Sequence, residues 1–204
     1  MEIKHQHFII YKPDGYLSQF VNNQTKRTKK KLLGELYSFP DNTMAIGRLD
    51  EPSEGLLLLT TDGKTSEFIR SNKVEKEYLA QVDGMITSEA IEQLINGVEI
   101  SYEGTTYKTN TCKAYKLKTS PSIPERRKKI RDERHGPTSW ISIILREGKF
   151  RQVRKMTAAV GFATLRLVRV RIGTIQLSTM QPGDVIEINK LKYLDKITFH
   201  KPNV

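Results

Sequence analysis

The stretch from Gly47 to Gly63, GRLDEPSEGLLLLTTDG, decides how this chain folds. Its four consecutive leucines, Leu56 to Leu59, are too few to cross a membrane, and they predict a buried strand over 55–61. Asp50 stands a few residues ahead of that strand, in a turn that Pro52 marks. An unpaired carboxylate is costly to bury, so Asp50 is either a turn residue or a reactive group placed near the core.

The rest of the chain alternates between strand-like and helix-like patterns. Ser88 is a suitable N-cap for a helix that ends before Gly97, and a turn at Glu103-Gly104 predicts a hairpin within 98–117. Further strands are predicted at 78–82, 139–145, 164–172 and 184–188. Because strands outnumber helices and tight turns join many neighbours, we expect an α+β protein with a largely antiparallel sheet.

A second helix is predicted over 150–160, ending at Gly161. At about 100° per residue, its apolar residues Val153 and Met156 share one face. Arg151, Arg154 and Lys155 fall on the opposite side. This helix therefore has an apolar back and a cationic front.

The composition indicates a basic globular protein of one domain, built from two lobes. The chain has 204 residues and a net charge of +11. Residues 24–31, 121–137 and 146–171 carry +5, +3 and +7, so positive charge is concentrated in three segments. This distribution is typical of a protein that binds a polyanion, and three solvated loops are the alternative. Segment 121–137 breaks every pattern and is predicted to be a basic, mobile insertion.

Several classes of protein are disfavoured by what the sequence contains. Its one cysteine, Cys112, allows neither an intrachain disulfide nor a site with several cysteine ligands. The N-terminal stretch has no uninterrupted apolar core of a secretory signal. From these features we expect a cytoplasmic protein.

The chemistry open to Asp50 depends on its neighbours. Arg48, and Arg154 from the cationic helix face, are candidates to hold the carboxylate ionised by bidentate hydrogen bonds. An oriented, ionised carboxylate can act as a base or as a nucleophile. Spacing alone favours the other interpretation, in which Asp50 begins a turn and pairs with an arginine for structure only. Weaker alternatives are a glycosidase pair with Glu54 and a magnesium site with Glu54 and Asp62.

Four motifs in order carry a resemblance to a known family. GRLDEPSEGLLLLTTDG is followed by KEYLAQVDG and REGKFRQVRKMTAAVG, and it is preceded by YKPDGYLSQF. Together they resemble the RsuA/RluE branch of bacterial ribosomal RNA pseudouridine synthases, over about 8–188. Most members begin with a small S4-type RNA-binding domain. Here KPDG starts at residue 12, so the likeness is to the short RluE type without that domain.

The resemblance implies roles for four residues. Asp50 matches the essential aspartate, Arg154 the arginine that ion-pairs with it, and Tyr78 the tyrosine that stacks on the target base. Arg48 matches the arginine that holds the flipped nucleotide. The implied fold is a pseudouridine synthase fold, a mixed sheet in two lobes with flanking helices and a central cleft. The implied reaction converts uridine to pseudouridine in ribosomal RNA and needs no cofactor or metal.

The basic segments are then expected to contact RNA phosphates. The predicted RNA-binding residues are Arg48, Lys29, Lys30, Lys31, Lys76, Lys149, Arg151 and Lys155. The expected partner is ribosomal RNA of the large subunit, bound by a monomer. A non-catalytic RNA-binding protein of ribosome assembly on the same fold is the alternative function.

Overall fold

The leucine strand predicted from the sequence lies at the centre of the fold. A computed structural model describes residues 4–21, 30–71, 74–131 and 133–188. In it, strand β3 (Glu54–Thr60) is buried at every position. Leu57 and Leu59 pack into one hydrophobic cluster, whereas Leu56 and Leu58 pack into a second one. Because alternate side chains of a strand point to opposite faces, the unbroken leucine run contributes to a core on each face of the sheet.

Nine of the described strands form one mixed sheet whose pairs are mainly antiparallel, and two form a separate hairpin. This architecture confirms the α+β class and the largely antiparallel sheet. Besides β3, the strands are β1 (His7–Lys12), β2 (Met44–Ala45), β4 (Lys76–Asp83), β5 (Glu99–Tyr102), β6 (Thr105–Lys108), β7 (Lys113–Lys116), β8 (Thr138–Leu145), β9 (Thr164–Ile172), β10 (Ile175–Gln176) and β11 (Val185–Ile188). The sheet order is β11-β1-β3-β9-β4-β8-β7, with β2 on β3 and β10 on β9, and β5 and β6 make the hairpin.

The two halves of the sheet meet at a short parallel contact between β3 and β9. Glu54 lies opposite Val168 and Gly55 opposite Arg169. Gly55 has a φ of 100°, and a Cβ at this position would lie 2.3 Å from the carbonyl oxygen of Arg169. Only glycine allows this approach of the two backbones. The halves β11-β1-β3 and β9-β4-β8-β7 correspond to the two predicted lobes.

Within the described residues, three α-helices cover the sheet: α1 (Gly63–Arg70), α2 (Ser88–Asn96) and α3 (Gln152–Ala159). The predicted N-cap of α2, Ser88, is wrong by one residue. Thr87 has the extended backbone of a cap, and its hydroxyl accepts from the backbone N–H of Ala90 at 3.2 Å. In α3 the predicted apolar back is confirmed, because Val153 and Met156 are buried. No helix in the described ranges is long and apolar enough to cross a membrane.

Segment 121–137 contacts the body of the protein at several points. The Arg126 guanidinium forms an ion pair with Asp14. The carbonyl oxygen of Pro124 accepts from Nη2 of Arg166 at 2.7 Å, and Arg131 donates to Asp83 at 2.6 Å. The insertion therefore has anchoring contacts that its composition did not suggest, and its mobility stays a prediction.

Candidate active site

The loop before β3 places the Asp50 carboxylate where the two halves of the sheet meet. The backbone N–H of Ser53 donates to the carbonyl oxygen of Asp50 at 3.0 Å, which closes the turn predicted at Pro52. The Asp50 side chain is 19% exposed and lines a cavity. Thus the backbone of Asp50 starts a turn while its carboxylate remains accessible. The two interpretations offered by the sequence are compatible.

Two arginines of the 150–160 segment approach this carboxylate. Nε of Arg154 lies 3.6 Å from Oδ2 of Asp50, and Nη1 of Arg151 lies 3.7 Å from the same oxygen. Arg151 precedes α3 with a left-handed backbone, at a φ of 53°. Non-glycine residues rarely adopt this conformation, and such strain is concentrated at functional sites. Asp50 therefore has a second cationic partner in addition to the predicted one.

Arg154 holds the loop as well as the carboxylate. Its side chain is 11% exposed. Nη2 donates to the Ser53 hydroxyl at 3.2 Å, and Nη1 donates to the carbonyl oxygen of Thr164 at 3.2 Å. Burial lowers the pKa of the guanidinium, and the Asp50 carboxylate opposes that shift. Arg154 therefore lies behind Asp50 and fixes its orientation, whereas Arg151 lies on the cavity side.

A buried lysine supports the loop from the other side. Lys12, at the end of β1, has no exposed surface. Its ammonium donates to the carbonyl oxygens of Tyr16 at 2.7 Å, Pro13 at 2.8 Å and Glu51 at 3.3 Å. Burial lowers its pKa to about 7, although the surrounding carboxylates oppose the shift. Lys12 thereby ties the KPDG turn to the residue that follows Asp50.

Glu54 belongs to a separate ion-pair network and does not line the Asp50 cavity. Its side chain is 2% exposed. Both carboxylate oxygens accept hydrogen bonds from Arg166, at 3.0 Å each, and Nε of Arg126 lies 3.6 Å away. A carboxylate engaged in this way cannot serve as the second acid of a glycosidase pair with Asp50. The structure contradicts that alternative.

Two adjoining cavities open beside Asp50. We call the first the inner pocket; it has a cavity volume of about 60 Å³ and is lined by Arg48, Leu49, Asp50, Ser53, Tyr78, Leu145, Gly148, Lys149, Arg151, Gln152, Val153 and Leu167. We call the second the outer cleft; it has a cavity volume of about 320 Å³ and is lined by Ile46, Gly47, Arg48, Ile69, Arg70, Lys76, Tyr78, Tyr102, Glu147, Gly148, Lys149, Arg169 and Ile172. Tyr78, from β4, lines both. The predicted tyrosine and aspartate therefore face one space.

The predicted RNA-binding residues differ in their surroundings. Arg48, Lys149 and Arg151 line the inner pocket together with Asp50 and Tyr78. Lys155 lies outside it, and its ammonium donates to the carbonyl oxygen of Ser101 at 2.6 Å. Three of the predicted phosphate-binding residues, Arg48, Lys149 and Arg151, therefore line the inner pocket.

The remaining lysines are less free than expected. Lys30 pairs with Glu51 at 2.5 Å, and the ammonium of Lys31 lies 5.3 Å from the ring centroid of Tyr16. Lys29 lies outside the described residues. Lys76 is only 8% exposed, and its ammonium donates to carbonyl oxygens of the backbone. The Lys76 ammonium is therefore engaged with backbone carbonyls, and its contact with RNA stays a prediction.

The carboxylates proposed for a magnesium site are far from forming one. Asp62 caps α1, because it accepts from the backbone N–H of Lys64 at 3.0 Å and from the hydroxyl of Thr65 at 2.5 Å. Asp50 and Glu54 belong to the two networks above. Among residues 4–21, 30–71, 74–131 and 133–188, no group of three or more His, Cys, Asp or Glu side chains is arranged to hold a metal.

The supporting residues of the site were missed by the sequence reasoning, although signals for them exist. Lys12 directly follows an apolar run, and Glu54 begins a buried strand, so each charge requires a buried partner. Arginines recur along β9, and one of them, Arg166, is that partner for Glu54. Ser53 offered no signal, because a serine after proline in a turn is ordinary.

Comparisons with known proteins agree with the resemblance. A family model described as RNA pseudouridylate synthase matches residues 6–159. A protein of Xanthomonas campestris pv. campestris named Ribosomal large subunit pseudouridine synthase E is 39% identical over 177 residues, which cover 86% of this chain and 91% of that protein. A protein of the same name from Vibrio parahaemolyticus is 38% identical, over 92% of this chain and 76% of its own length.

A solved structure shares the fold. It is titled "Crystal structure of pseudouridylate synthase", and it superposes with a TM-score of 0.70 at 23% identity. The match covers 95% of this chain and 74% of the other. The predicted pseudouridine synthase fold is thereby confirmed.

Proposed function

Since this chain belongs to the RNA pseudouridylate synthase family, we propose that it isomerises a uridine of large-subunit ribosomal RNA to pseudouridine. The large subunit is the target that the names of its relatives state. The observation that carries the proposal is the inner pocket, where Asp50, Tyr78 and Arg151 line one space and Arg154 lies 3.6 Å from the Asp50 carboxylate. We expect the protein to act as a cytoplasmic monomer.

The proposed reaction rearranges one nucleotide without adding or losing a group. The target uridine flips out of its stack into the inner pocket, because an enzyme reaches a base atom only outside the helix. Asp50 acts on the nucleotide as a nucleophile or as a base on the ribose, and the bond between N1 and C1′ breaks. The uracil turns, C5 bonds to C1′, the C5 proton leaves and N1 is protonated. Asp50 is regenerated.

The proposed catalytic roles follow from the contacts of each residue. Arg154 and Arg151 hold the Asp50 carboxylate by charge, and Arg154 also fixes the loop through Ser53. Tyr78 offers its ring to the uracil while the base is detached. Four apolar side chains of the pocket exclude water that would otherwise capture the detached sugar: Leu49, Leu145, Val153 and Leu167.

Substrate RNA is proposed to be positioned by phosphate contacts around this pocket. Arg48, Lys149 and Arg151 supply cations at its mouth. Such contacts orient RNA without reading its sequence. Selection of the target uridine then depends on RNA shape and on unpaired bases, because side chains cannot read the deep, narrow major groove of A-form RNA.

The test compares the protein with Asp50→Asn on unmodified ribosomal RNA, followed by chemical mapping of pseudouridine. Mass alone does not detect an isomerisation. We expect one modified position with the native protein and none with Asp50→Asn, at equal RNA binding. Tight binding without any pseudouridine would instead support the non-catalytic RNA-binding protein. Equal activity of both proteins would exclude Asp50 as the reactive group.

A further inference from the structure

The outer cleft is larger than the inner pocket, and the proposed reaction does not use it. Its lining is strongly basic, with five cationic side chains: Arg48, Arg70, Lys76, Lys149 and Arg169. Glu147 is the acidic residue of that lining. Its carboxylate already accepts from the Tyr107 hydroxyl at 2.7 Å, the backbone N–H of Asn110 at 2.9 Å and the amide of Gln152 at 2.5 Å. The cleft therefore contains positive charge that its own acid does not neutralise.

Arg169 is the most informative residue of this cleft. It lies on β9 and is 4% exposed. Nε donates to the carbonyl oxygen of Leu56 at 2.8 Å, and the guanidinium carbon lies 5.9 Å from the ring centroid of Tyr78. Nη2 is buried and has no hydrogen-bond partner within the described part of the chain. A buried donor without a partner is costly, so an acceptor supplied by a ligand would stabilise it.

A second buried cation lies nearby. Lys76 is 8% exposed, and its ammonium donates to the carbonyl oxygens of Arg146 at 2.9 Å and Val74 at 3.1 Å. Burial, and secondarily the charge of Arg169, lowers its pKa to about 8. Carbonyl oxygens satisfy the lysine's donors without neutralising its charge. Two neighbouring buried cations therefore favour an anion in this cleft.

An aromatic ring borders the same space. Tyr102, at the end of β5, lines the cleft, and the Lys149 ammonium lies 4.7 Å from its ring centroid. The same ammonium lies 4.9 Å from the ring of Tyr107. Rings beside cations bind unpaired bases by stacking, and the cations contact the neighbouring phosphate. The cleft thus offers both halves of a nucleotide-binding site.

We propose that the outer cleft is a second nucleotide subsite, which binds a nucleotide adjacent to the target uridine in the RNA. Nη2 of Arg169 donates to its phosphate, and the ring of Tyr102 stacks on its base. Because Tyr78 lines both cavities, the two subsites are contiguous, as consecutive nucleotides require. This inference rests on the proposed function, since it takes the inner pocket as the place of the target.

The experiment combines protein variants with a short RNA in which single phosphates are made neutral. This RNA contains the mapped uridine or, if no pseudouridine forms, it is the shortest ribosomal RNA fragment that the protein binds tightly. A methylphosphonate replaces each phosphate near the target in turn, and KM is measured with the native protein and with Arg169→Lys. We expect one position to raise KM about tenfold with the native protein, since a hydrogen bond to a charged group is removed. With Arg169→Lys, the methylphosphonate at that position should raise KM little further, because the hydrogen bond from Nη2 is already absent. The replacement Lys113→Gln, on the exposed strand β7, serves as the control for removal of a cation.

The aromatic half is tested on the hairpin of β5 and β6, which is separate from the main sheet. Tyr102→Leu should raise KM about tenfold because the stacking ring is absent, whereas Tyr102→Phe keeps the ring and should stay within about twofold. We expect kcat to be nearly unchanged in both. If Arg169→Lys lowers kcat at constant KM, Arg169 only positions Tyr78 and the subsite is wrong. The subsite is also wrong if every methylphosphonate acts equally on native protein and variant.

An independent readout separates this inference from the proposed function. The same RNAs are bound to Asp50→Asn protein, with and without Arg169→Lys, and Kd is measured without turnover. If the native protein makes no pseudouridine but the binding cycle shows the Arg169–phosphate coupling, the subsite stands and the proposed reaction fails. If pseudouridine forms and the coupling is absent from both KM and Kd, the reaction stands and the subsite is refuted.

Discussion

Replacing Glu54 by glutamine should destabilise the fold at the junction beside the active site. The Glu54 carboxylate is 2% exposed and accepts two hydrogen bonds of 3.0 Å from Arg166, whose side chain is 8% exposed. Glutamine keeps the shape but removes the charge, and so leaves Arg166 buried without compensation. Breaking a buried pair in this way costs about 3–5 kcal/mol. For a chain of this size that corresponds to a decrease in Tm of roughly 6–20 °C.

The assay is thermal and urea unfolding of Glu54→Gln beside a matched control in the loop that precedes β3. Glu51→Gln removes another carboxylate, which pairs with Lys30 but is 34% exposed. Because water screens that pair, its removal should cost about 0–1 kcal/mol. The double variant Glu54→Leu/Arg166→Met should recover most of the stability, since it removes both charges.

Two results would refute this reasoning. If Glu54→Gln costs no more than Glu51→Gln, the buried pair does not hold β3 to β9. If the double variant is no more stable than Glu54→Gln, the destabilisation does not come from an uncompensated Arg166. In that case the damage would have to come from the packing of the glutamine itself.

Three further predictions concern catalysis, pH and salt. Arg154→Gln should lower kcat by about 10²-fold or more in single-turnover assays while RNA binding changes little, because it removes a fixed charge beside Asp50; equal decreases in both would indicate a binding role. Burial lowers the pKa of His7 below its unfolded value, so the unfolded state binds more protons at low pH. The free energy of unfolding should therefore fall as pH drops below about 6.5. The variant His7→Gln should show a smaller dependence of the urea midpoint on pH. Neutralising the three lysines at 29–31 should weaken RNA binding and flatten its salt slope, by about 0.7–0.9 for each phosphate that the protein no longer neutralises; an unchanged slope would assign them to solvated surface.

The sequence predicted those parts of the fold that depend on local patterns. The leucine run of β3, the helix whose apolar back contains Val153 and Met156, and the hairpin turn at Glu103-Gly104 all follow from periodicity and turn chemistry. The parallel contact of β3 with β9 was not predictable in this way. It joins residues more than a hundred positions apart, and its one local trace is the glycine at position 55.

The candidate site shows the same division. The motifs pointed to Asp50, Arg154 and Tyr78 as candidates. Which of the other cations are available to RNA depends on ion pairs and hydrogen bonds with residues distant in sequence. Lys76 illustrates the difficulty, because in sequence it is one more lysine in a basic chain. Its burial arises from the packing of β4 between β8 and β9, and no pattern within KEY shows which backbone carbonyls its ammonium will reach.

The distribution of ion pairs also changes what the net charge means for RNA binding. The segment 146–171 contains eight basic residues. Arg166 is paired with Glu54, Arg171 with Glu77 and Arg154 with Asp50, and Arg146 approaches Glu75. Four cations of this segment therefore remain to contact RNA: Lys149, Lys155, Arg169 and Arg151, which is 41% exposed although it also lies 3.7 Å from Asp50. The corresponding contribution to the log–log salt slope is about −3 to −4, half of what the formal count of basic residues implies. A steeper measured slope would require phosphate contacts from the other two basic segments, and the lysine variants at 29–31 measure the contribution of one of them.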